Sequence, residues 1–325
     1  MNELAFRTYL FEQKVDRDQS TSFITKLEAM RTHFKPRALE TLPRGAILQY
    51  TEHLVTVDAD AVLDTLRALI HYGNFIENYN YVAEVLDIAE AYNAMETLYS
   101  RVGEQCGTDV RDAIFADLEL PPLGVDPESK SEFTKVVMRR LEAQIGEAKT
   151  VELLAPCLHG RPEEPKARED FLRLNDIDEF LALKHKEVLD RFRQHKKDGT
   201  LEWAQYVDDE GIAYVENTLT ISPGIREGDK IIQTKIPYQI KAMLDTQDSR
   251  MKRYYVCYCP WVRGAIKDGT EKEISPNFCH CSAGFTKKYW DYVFGQPVSV
   301  QPVETALTGA FHCKFAIQIP KEYQK

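Results

Sequence analysis

The sequence FHCKFAIQI at residues 311–319 alternates apolar and polar side chains. Successive side chains of a β-strand point to opposite faces, so one face of this segment is apolar. The pattern predicts a half-buried strand that carries Cys313 inward and ends at Pro320. Two further strands are predicted at residues 213–221 and 230–236, because both stretches are rich in β-forming side chains and lie beside glycine-containing turns.

Upstream of these strands, apolar residues recur every three to four positions, most clearly in residues 62–70, 82–92 and 133–145. This spacing predicts amphipathic helices. A further helix is predicted from Asp176 to Arg193, because acidic residues in its first turn and basic residues in its last turn complement the helix dipole. The predicted fold class is therefore α+β, with a helical N-terminal region followed by an α+β domain.

A break in the helical pattern predicts the domain boundary. The residues from Cys157 to Gly160 are followed by Pro162 and Pro165, and glycine and proline are the residues that most often interrupt regular structure. We therefore expect a helical domain at residues 1–155 and an α+β domain at residues 156–325.

The composition limits the classes of partner. The chain has 325 residues, with 41 Lys and Arg against 51 Asp and Glu, and a net charge of -10. An acidic balance disfavours nucleic acid as a partner, because phosphate contacts need clustered basic side chains. No stretch reaches the roughly 18 consecutive apolar residues of a membrane helix, and the first residues are charged where a signal peptide is apolar. We expect a cytoplasmic protein that binds neither nucleic acid nor membranes.

Several common catalytic motifs are absent from the sequence. It contains no phosphate-binding P-loop, no Gly-x-Gly-x-x-Gly, no His-Glu-x-x-His and no Gly-x-Ser-x-Gly. Nucleotide-driven chemistry, dinucleotide cofactors, zincin proteolysis and serine hydrolysis therefore have no motif that supports them. The cysteines are the strongest remaining candidates.

Two Cys-x-Cys pairs predict a zinc site. Cys257 and Cys259 form one pair, and Cys279 and Cys281 form the other. On an extended segment, residues two apart point to the same side, so each pair can present two thiols to one centre. Four thiolates suit a tetrahedral Zn²⁺, and these four are the predicted ligands, with Cys313 as an alternate. The alternatives are small buried apolar side chains and free, reactive thiols.

Cys157 and His159 form a Cys-x-His pair in the loop that interrupts the helices. Such a pair can bind metal, or it can act as a thiolate and imidazole in covalent catalysis. The alternative is a helix-ending loop with an incidental cysteine. Together with Cys313, these two residues are the candidate catalytic residues.

Aromatic residues surround the C-terminal cysteines in the sequence. Tyr258, Trp261, Phe285 and Trp290 are the candidate walls of a small-molecule pocket. The alternative is that they form the core of the domain, because large aromatic side chains supply much of the buried area of any core.

Three stretches carry a family resemblance: Ser282 to Phe285, Gln296 to Val300, and Gly309 to Ile317. They resemble the end of the 4-vinyl-reductase-type small-molecule-binding domain, found in bacteriochlorophyll biosynthesis proteins and in aromatic-sensing regulators. The wider stretch from about Cys157 onward also resembles bacterial proteins related to the aminothiazoline carboxylate hydrolases. The resemblance implies a curved antiparallel sheet and helices that enclose a pocket for a small, partly aromatic molecule.

The resemblance also implies a zinc near that pocket. The sensors of the family hold it with a glutamate and cysteines, two of them eight positions apart with a glycine midway. Cys313 and Gly309 match the second cysteine and the glycine, whereas Thr305 stands in place of the first cysteine and Glu304 is offset from the glutamate. The family's site is therefore not intact. Cys279 or Cys281 lies close to the place of the family's upstream cysteine, and the extra pair Cys257 and Cys259 could supply the missing ligands.

Together these patterns predict a small-molecule-binding protein with a cysteine-ligated zinc. The alternative is a hydrolase that acts on a small ring containing a C–N or C–S bond, through a cysteine nucleophile or a zinc-bound water. The expected partner is a small organic ligand, and the chain could also form a homodimer.

Overall fold

The computed structural model describes residues 2–35 and 37–324. The chain is α+β, as the sequence predicts, because helices form most of it and its strands lie in two small antiparallel sheets in the C-terminal part. In the part of the chain that the structure describes, no helix is both long enough and apolar enough to cross a lipid bilayer.

The chain divides into two compact units. The first comprises the residues up to Tyr92 together with Pro121–Ser129. The second comprises Asn93–Leu120 together with the residues from Lys130 onward, and it contains all of the cysteines. The boundary expected near residue 155 lies inside the second unit.

The first unit is helical. Its apolar core includes Phe6, Leu27 and Leu69, each of which is almost fully buried. The Thr51 hydroxyl donates a 2.8 Å hydrogen bond to the Gly124 carbonyl oxygen, which ties the second segment of this unit to the first. The helices of this unit are α1 (Glu3–Glu12), α2 (Arg17–His33), α3 (Ala46–Val57), α4 (Ala61–Phe75) and α5 (Tyr79–Ala89).

The second unit combines helices with both sheets. Its longest helix is interrupted at Gly146, where the backbone has a φ of 78° that breaks the helical geometry. The helices of this unit are α6 (Ala94–Cys106), α7 (Thr108–Phe115), α8 (Lys130–Leu154), α9 (Pro165–Leu174), α10 (Ile177–Asp198), α11 (Asp209–Asn217), α12 (Ile240–Asp245), α13 (Ser249–Val256), α14 (Pro260–Asp268) and α15 (His280–Phe294).

The strongest helix predictions are confirmed. The apolar periods at residues 62–70, 82–92 and 133–145 correspond to α4, α5 and the part of α8 before its break. The helix predicted from Asp176 is α10, where the Asp176 carboxylate accepts a 2.9 Å hydrogen bond from the Glu179 N–H. This cap satisfies one of the N–H groups that a helix start leaves unpaired.

The sheets are both antiparallel. The strands are β1 (Leu201–Glu202), β2 (Gln205–Tyr206), β3 (Ile225–Glu227), β4 (Lys230–Thr234), β5 (Val300–Glu304) and β6 (Lys314–Gln318). The first two form a hairpin, and the other four form one sheet in the order β3-β4-β6-β5. At the centre of this sheet, Ile231 of β4 pairs with Ile317 of β6.

The last strand confirms the predicted alternation from Phe315 onward, whereas Phe311, at the start of the predicted segment, precedes the strand and is exposed. Phe315 and Ile317 of β6 are both fully buried, and they pack in one cluster with Trp290 and Phe294 of α15. Cys313 precedes the strand and packs, half-buried, against the same cluster. The apolar face of the sheet therefore forms the core on which α15 lies.

One strand prediction is wrong. Residues 213–221 do not form a strand, because most of them belong to helix α11 or the turn after it. The Asp208 side chain caps this helix by accepting a hydrogen bond from the Gly211 N–H at 2.7 Å. Asp209 and Glu210 then place negative charge in its first turn, which the helix dipole favours. The strand predicted at 230–236 is confirmed as β4.

Packing explains why the second unit begins before the predicted boundary. Phe133 of α8 contacts Trp261 of α14, with ring centroids 6.3 Å apart. The Glu142 carboxylate, also on α8, accepts a 2.8 Å hydrogen bond from the Asn277 side chain just before α15. These contacts join α8 to elements much later in the chain.

Candidate metal centre

The candidate site begins in the loop that follows α8. Cys157 lies just after the helix ends, and its φ of 60° is in the left-handed region that non-glycine residues seldom adopt. The Arg101 guanidinium on α6 donates to the carbonyl oxygens of Leu153 and, at 2.8 Å, of Cys157. These bonds hold the backbone on both sides of the turn.

Helix α15 brings a second cysteine to this loop. Cys281 lies in its first turn, and its sulfur accepts a 3.3 Å hydrogen bond from the Leu158 N–H. Gly284 permits the approach, because a Cβ at this position would lie 2.1 Å from the Ala155 oxygen and 2.5 Å from the Cys157 nitrogen. No side chain larger than that of glycine fits against the loop without a shift of the backbone.

Cys157, His159 and Cys281 form a compact group of potential ligands. Their ligand atoms all lie within 4.8 Å of one another, with both cysteines buried and the histidine half-buried. Within residues 2–35 and 37–324, this is the only set of three or more His, Cys, Asp or Glu side chains that meets this distance. The group can hold a metal ion.

The two thiols of this group interact directly. A hydrogen bond from the Cys281 thiol lowers the pKa of Cys157, and the adjacent His159 shifts it in the same direction. The same bond raises the pKa of Cys281, and burial raises it further. In its neutral form, the Cys157 thiol donates to the His159 carbonyl oxygen at 2.7 Å. The pair therefore loses its first proton from Cys157 more readily than an ordinary thiol does.

Only one of the four cysteines predicted as zinc ligands belongs to this group. Cys281 joins Cys157 and His159, while Cys257, Cys259 and Cys279 lie outside that group. Cys257 and Cys259 have extended backbone between α13 and α14, as expected. The second pair does not lie on an extended segment, because Cys279 has helical backbone angles and Cys281 lies within α15.

Cys257, Cys259 and Cys279 lie near one another and near Cys313. Burial raises the pKa of Cys257 to about 12, and the nearby Cys313 raises it as well. Burial also raises the pKa of Cys259, Cys279 and Cys313, and in each case the nearby Lys235 opposes the shift. These four cysteines are close enough to influence one another and are neutral thiols at physiological pH. All seven cysteines, each within the described residues, are free of disulfides.

The four predicted pocket residues have different surroundings. Phe285 lies beside the candidate metal group, with its ring centroid 5.4 Å from that of His159. Tyr258 contacts the Lys235 ammonium, which lies 4.3 Å from the centre of its ring. Trp261 and Trp290 are buried in the core, and the Trp290 indole N–H donates to the Gln233 side chain at 2.9 Å.

Two cations near the site were not indicated by the sequence. The Arg161 guanidinium lies 4.7 Å from the ring centres of both Phe285 and Tyr289, and it pairs with Glu164 at 2.6 Å. Lys235 directly follows the last residue of β4. No local pattern marks either residue, since their proximity to the cysteines depends on the tertiary fold.

Comparison with known proteins adds no relative. No protein-family model matches the chain, and no curated protein and no solved structure matches it. The resemblance to 4-vinyl-reductase-type domains stays a prediction.

Proposed function

We propose that this protein binds zinc through Cys157, His159 and Cys281, and that the remaining coordination position of the zinc takes a small molecule. The observation that carries the proposal is the convergence of these three ligand atoms within 4.8 Å of one another. In a tetrahedral zinc site, neighbouring ligand atoms are roughly 3.5–4 Å apart, so small side-chain movements bring the three to that spacing.

The chemistry of the donors favours zinc over other cations. Two thiolates and one imidazole are borderline-soft ligands, which disfavours hard cations such as Mg²⁺ and Ca²⁺. The Leu158 N–H that donates to the Cys281 sulfur would stabilise a thiolate at that position. The lowered pKa of Cys157 acts in the same direction, because a metal binds the thiolate and not the thiol.

The number of ligands favours a site that binds a molecule over a purely structural one. Structural zinc sites are closed by four protein ligands, whereas sites that act on a substrate use three and leave one position for water or a ligand. Phe285, whose ring contacts that of His159, would supply an apolar surface for such a molecule.

A second candidate function is hydrolysis by a cysteine nucleophile. It is favoured by the lowered pKa of Cys157, since the thiolate is the attacking species. In this case the Cys157 thiolate would attack an electrophilic carbon of a small ring, and the C–N or C–S bond at that carbon would break as its nitrogen or sulfur takes up a proton. Water would then hydrolyse the bond to Cys157 and release the thiol, so the site would work without metal.

Zinc content of point variants tests the proposal. We expect about one zinc per chain in the purified, untagged wild type, measured by inductively coupled plasma mass spectrometry. Cys157→Ser and Cys281→Ser should lose the zinc, because each removes one of only three ligands. Cys106→Ser is the matched control and should keep it, since Cys106 lies outside the group.

Cys257→Ser separates the proposed site from the one predicted by the sequence. It should keep its zinc if the Cys–His–Cys group is the site, and it should lose zinc as Cys281→Ser does if the two Cys-x-Cys pairs are. A metal-free wild type would refute the zinc proposal. Turnover of a ring substrate by metal-free protein, abolished in Cys157→Ser, would establish the second candidate.

A further inference from the structure

Cys157 and Cys281 place two reduced sulfur atoms next to each other. Both atoms belong to the group whose ligand atoms all lie within 4.8 Å of one another, and a hydrogen bond joins the two thiols. Neither cysteine forms a disulfide in this structure. A disulfide bond is about 2 Å long, so a combined movement of about 3 Å at most would join the two sulfur atoms.

The packing of α15 on the loop after α8 keeps these sulfur atoms together. The Leu158 N–H, directly after Cys157, donates to the Cys281 sulfur at 3.3 Å, so the Cys281 side chain already points at the Cys157 backbone. Gly284, one turn further along α15, lies so close to the loop that a Cβ there would be 2.5 Å from the Cys157 nitrogen. The two cysteines therefore face each other in the folded protein.

The surroundings of the pair suit a reaction with a small oxidant. Cys157 is 5% exposed and Cys281 is 6% exposed, so a molecule the size of hydrogen peroxide reaches them more easily than a large one. A ring nitrogen of the half-buried His159 lies within 4.8 Å of both sulfur atoms. The imidazole can therefore accept the proton that a thiol loses before its sulfur attacks.

We propose that Cys157 and Cys281 form a reversible disulfide when a peroxide oxidises them, and that formation of this bond releases the zinc. The release of zinc rests on the proposed zinc site, and the disulfide specifies how that site is regulated. A metal binds thiolates, and the sulfur atoms of a disulfide carry no negative charge. The site therefore holds its metal only while both cysteines are reduced.

The reaction consumes two thiols and one peroxide and yields one disulfide and two waters. In metal-free protein, the Cys157 thiol passes its proton to His159, and the sulfur attacks one oxygen of hydrogen peroxide. The O–O bond breaks, the leaving hydroxide takes the proton from His159 to become water, and Cys157 becomes a sulfenic acid. The Cys281 sulfur then attacks the Cys157 sulfur, the S–O bond breaks, and the leaving hydroxide takes the Cys281 proton as the second water. In the zinc-bound form both sulfurs start as thiolates, and the two leaving hydroxides take their protons from solvent.

Titration of the full-length protein with hydrogen peroxide tests this proposal. The chelating dye 4-(2-pyridylazo)resorcinol measures the zinc that wild type releases, and mass spectrometry of non-reduced peptides locates the disulfides. We expect about one zinc to be released for each Cys157–Cys281 disulfide that forms. Dithiothreitol should reduce the disulfide by thiol–disulfide exchange and restore zinc binding. Chelated, metal-free wild type should form the same disulfide.

Three variants assign the steps, each in chelated protein. Cys281→Ser should hold Cys157 as a sulfenic acid, which dimedone traps, because the second thiol is absent. Cys157→Ser should show no trapped sulfenic acid at Cys281, since the attacking thiol is absent. Cys259→Ser is the control, because Cys259 is near Cys281 but outside the group, and it should form the disulfide at the wild-type rate. Far-ultraviolet circular dichroism verifies that each variant is folded.

The outcomes separate the two proposals. A disulfide between Cys281 and Cys259, or oxidation of Cys157 to a sulfinic acid without a disulfide, would overturn the inference and leave the zinc site standing. Wild type that contains no zinc but still forms the Cys157–Cys281 disulfide would overturn the zinc site and the release of zinc, while the disulfide itself would be established.

Discussion

Cys157 combines an uncommon backbone conformation with the chemistry of the site. A left-handed φ at a non-glycine residue costs about 1–2 kcal/mol, and it persists only where the surroundings enforce it. Here the enforcement comes from Arg101, which donates to the Cys157 carbonyl oxygen, and from the close approach of Gly284. Such strain at a buried thiol next to a histidine is typical of a functional site.

The reactivity of Cys157 should depend on Cys281. In chelated, metal-free protein, we expect iodoacetamide to alkylate Cys157 at a lower pH than it does an ordinary thiol, because the Cys281 hydrogen bond lowers the pKa of Cys157. In Cys281→Ala, the pH midpoint of the alkylation rate should move upward. Mass spectrometry of the Cys157 peptide measures the rate, and identical midpoints in the two proteins would contradict the assignment.

The sequence could identify part of the site. The Cys-x-His spacing of Cys157 and His159 marked both residues as candidates, and both belong to the group. The partnership of Cys281 could not be predicted from its own pair. Residues two apart on a helix point about 200° apart, so Cys279 and Cys281 at the start of α15 do not serve one centre as they would on a strand.

At the scale of elements, the contact between α15 and the loop after α8 creates the site. Gly284→Ala places a methyl group against the Ala155 oxygen and the Cys157 nitrogen, both of which are backbone atoms. We expect a loss of about 1–3 kcal/mol in the free energy of unfolding, measured in urea, and a loss of zinc. Gly160→Ala is the control, because a Cβ there meets nothing within 4 Å. Equal stability and zinc content in the two variants would contradict the role of this contact.

The pair of helices α9 and α10 should show a pH-dependent stability. Asp170 accepts a 2.8 Å hydrogen bond from Lys184, and that bond, together with one from Arg173, lowers the pKa of Asp170. A lowered pKa in the folded state gives stability above about pH 4, which is lost as the pH falls through the folded value.

Asp170→Asn should therefore lower the free energy of unfolding by about 1–3 kcal/mol at pH 7. The difference in this free energy between the variant and wild type should become smaller at acid pH. Urea unfolding at a series of pH values measures it. Asp190→Asn removes an exposed partner of Arg193 and should change stability by less than about 1 kcal/mol. A pH-independent effect of Asp170→Asn would contradict the role of the ion pair.

The sequence predicted a helix or strand correctly where the apolar period, the capping residues and the charges at its ends all indicated the same structure. For α10, the apolar period, the Asp176 cap and the charges at both ends all indicate a helix. For α11, the β-forming residues after Gly211 indicated a strand, but the acidic cap and first turn preceding them favour the helix that forms. Capping at the start of α11 outweighed β-propensity.

At the scale of the whole molecule, all three tryptophans lie in the second unit, as does the candidate metal group. Tryptophan fluorescence therefore follows the unfolding of the unit that contains the site. Metal removal should lower the midpoint of this thermal transition by about 5 °C or more, because zinc stabilises only the folded site. Cys281→Ser should show the low midpoint with or without chelator, and an unchanged midpoint in chelated wild type would contradict zinc binding.

The extent of the second unit could not be predicted from local sequence. A cluster of glycine and proline after Cys157 indicates a loop, and a loop is present there. Nothing in the helices before it shows that α8 packs on α14, since that depends on contacts such as Phe133 with Trp261. The same loop that suggested a boundary is instead where the candidate ligands meet.

X-ray absorption at the zinc edge tests the central claim most directly, because it counts the ligand atoms of the bound metal. For purified wild-type protein, the account predicts two sulfur atoms at about 2.3 Å, from Cys157 and Cys281, and two nitrogen or oxygen atoms at about 2.0–2.1 Å, one of them from His159. A shell of four sulfur atoms, or protein without zinc, would contradict it.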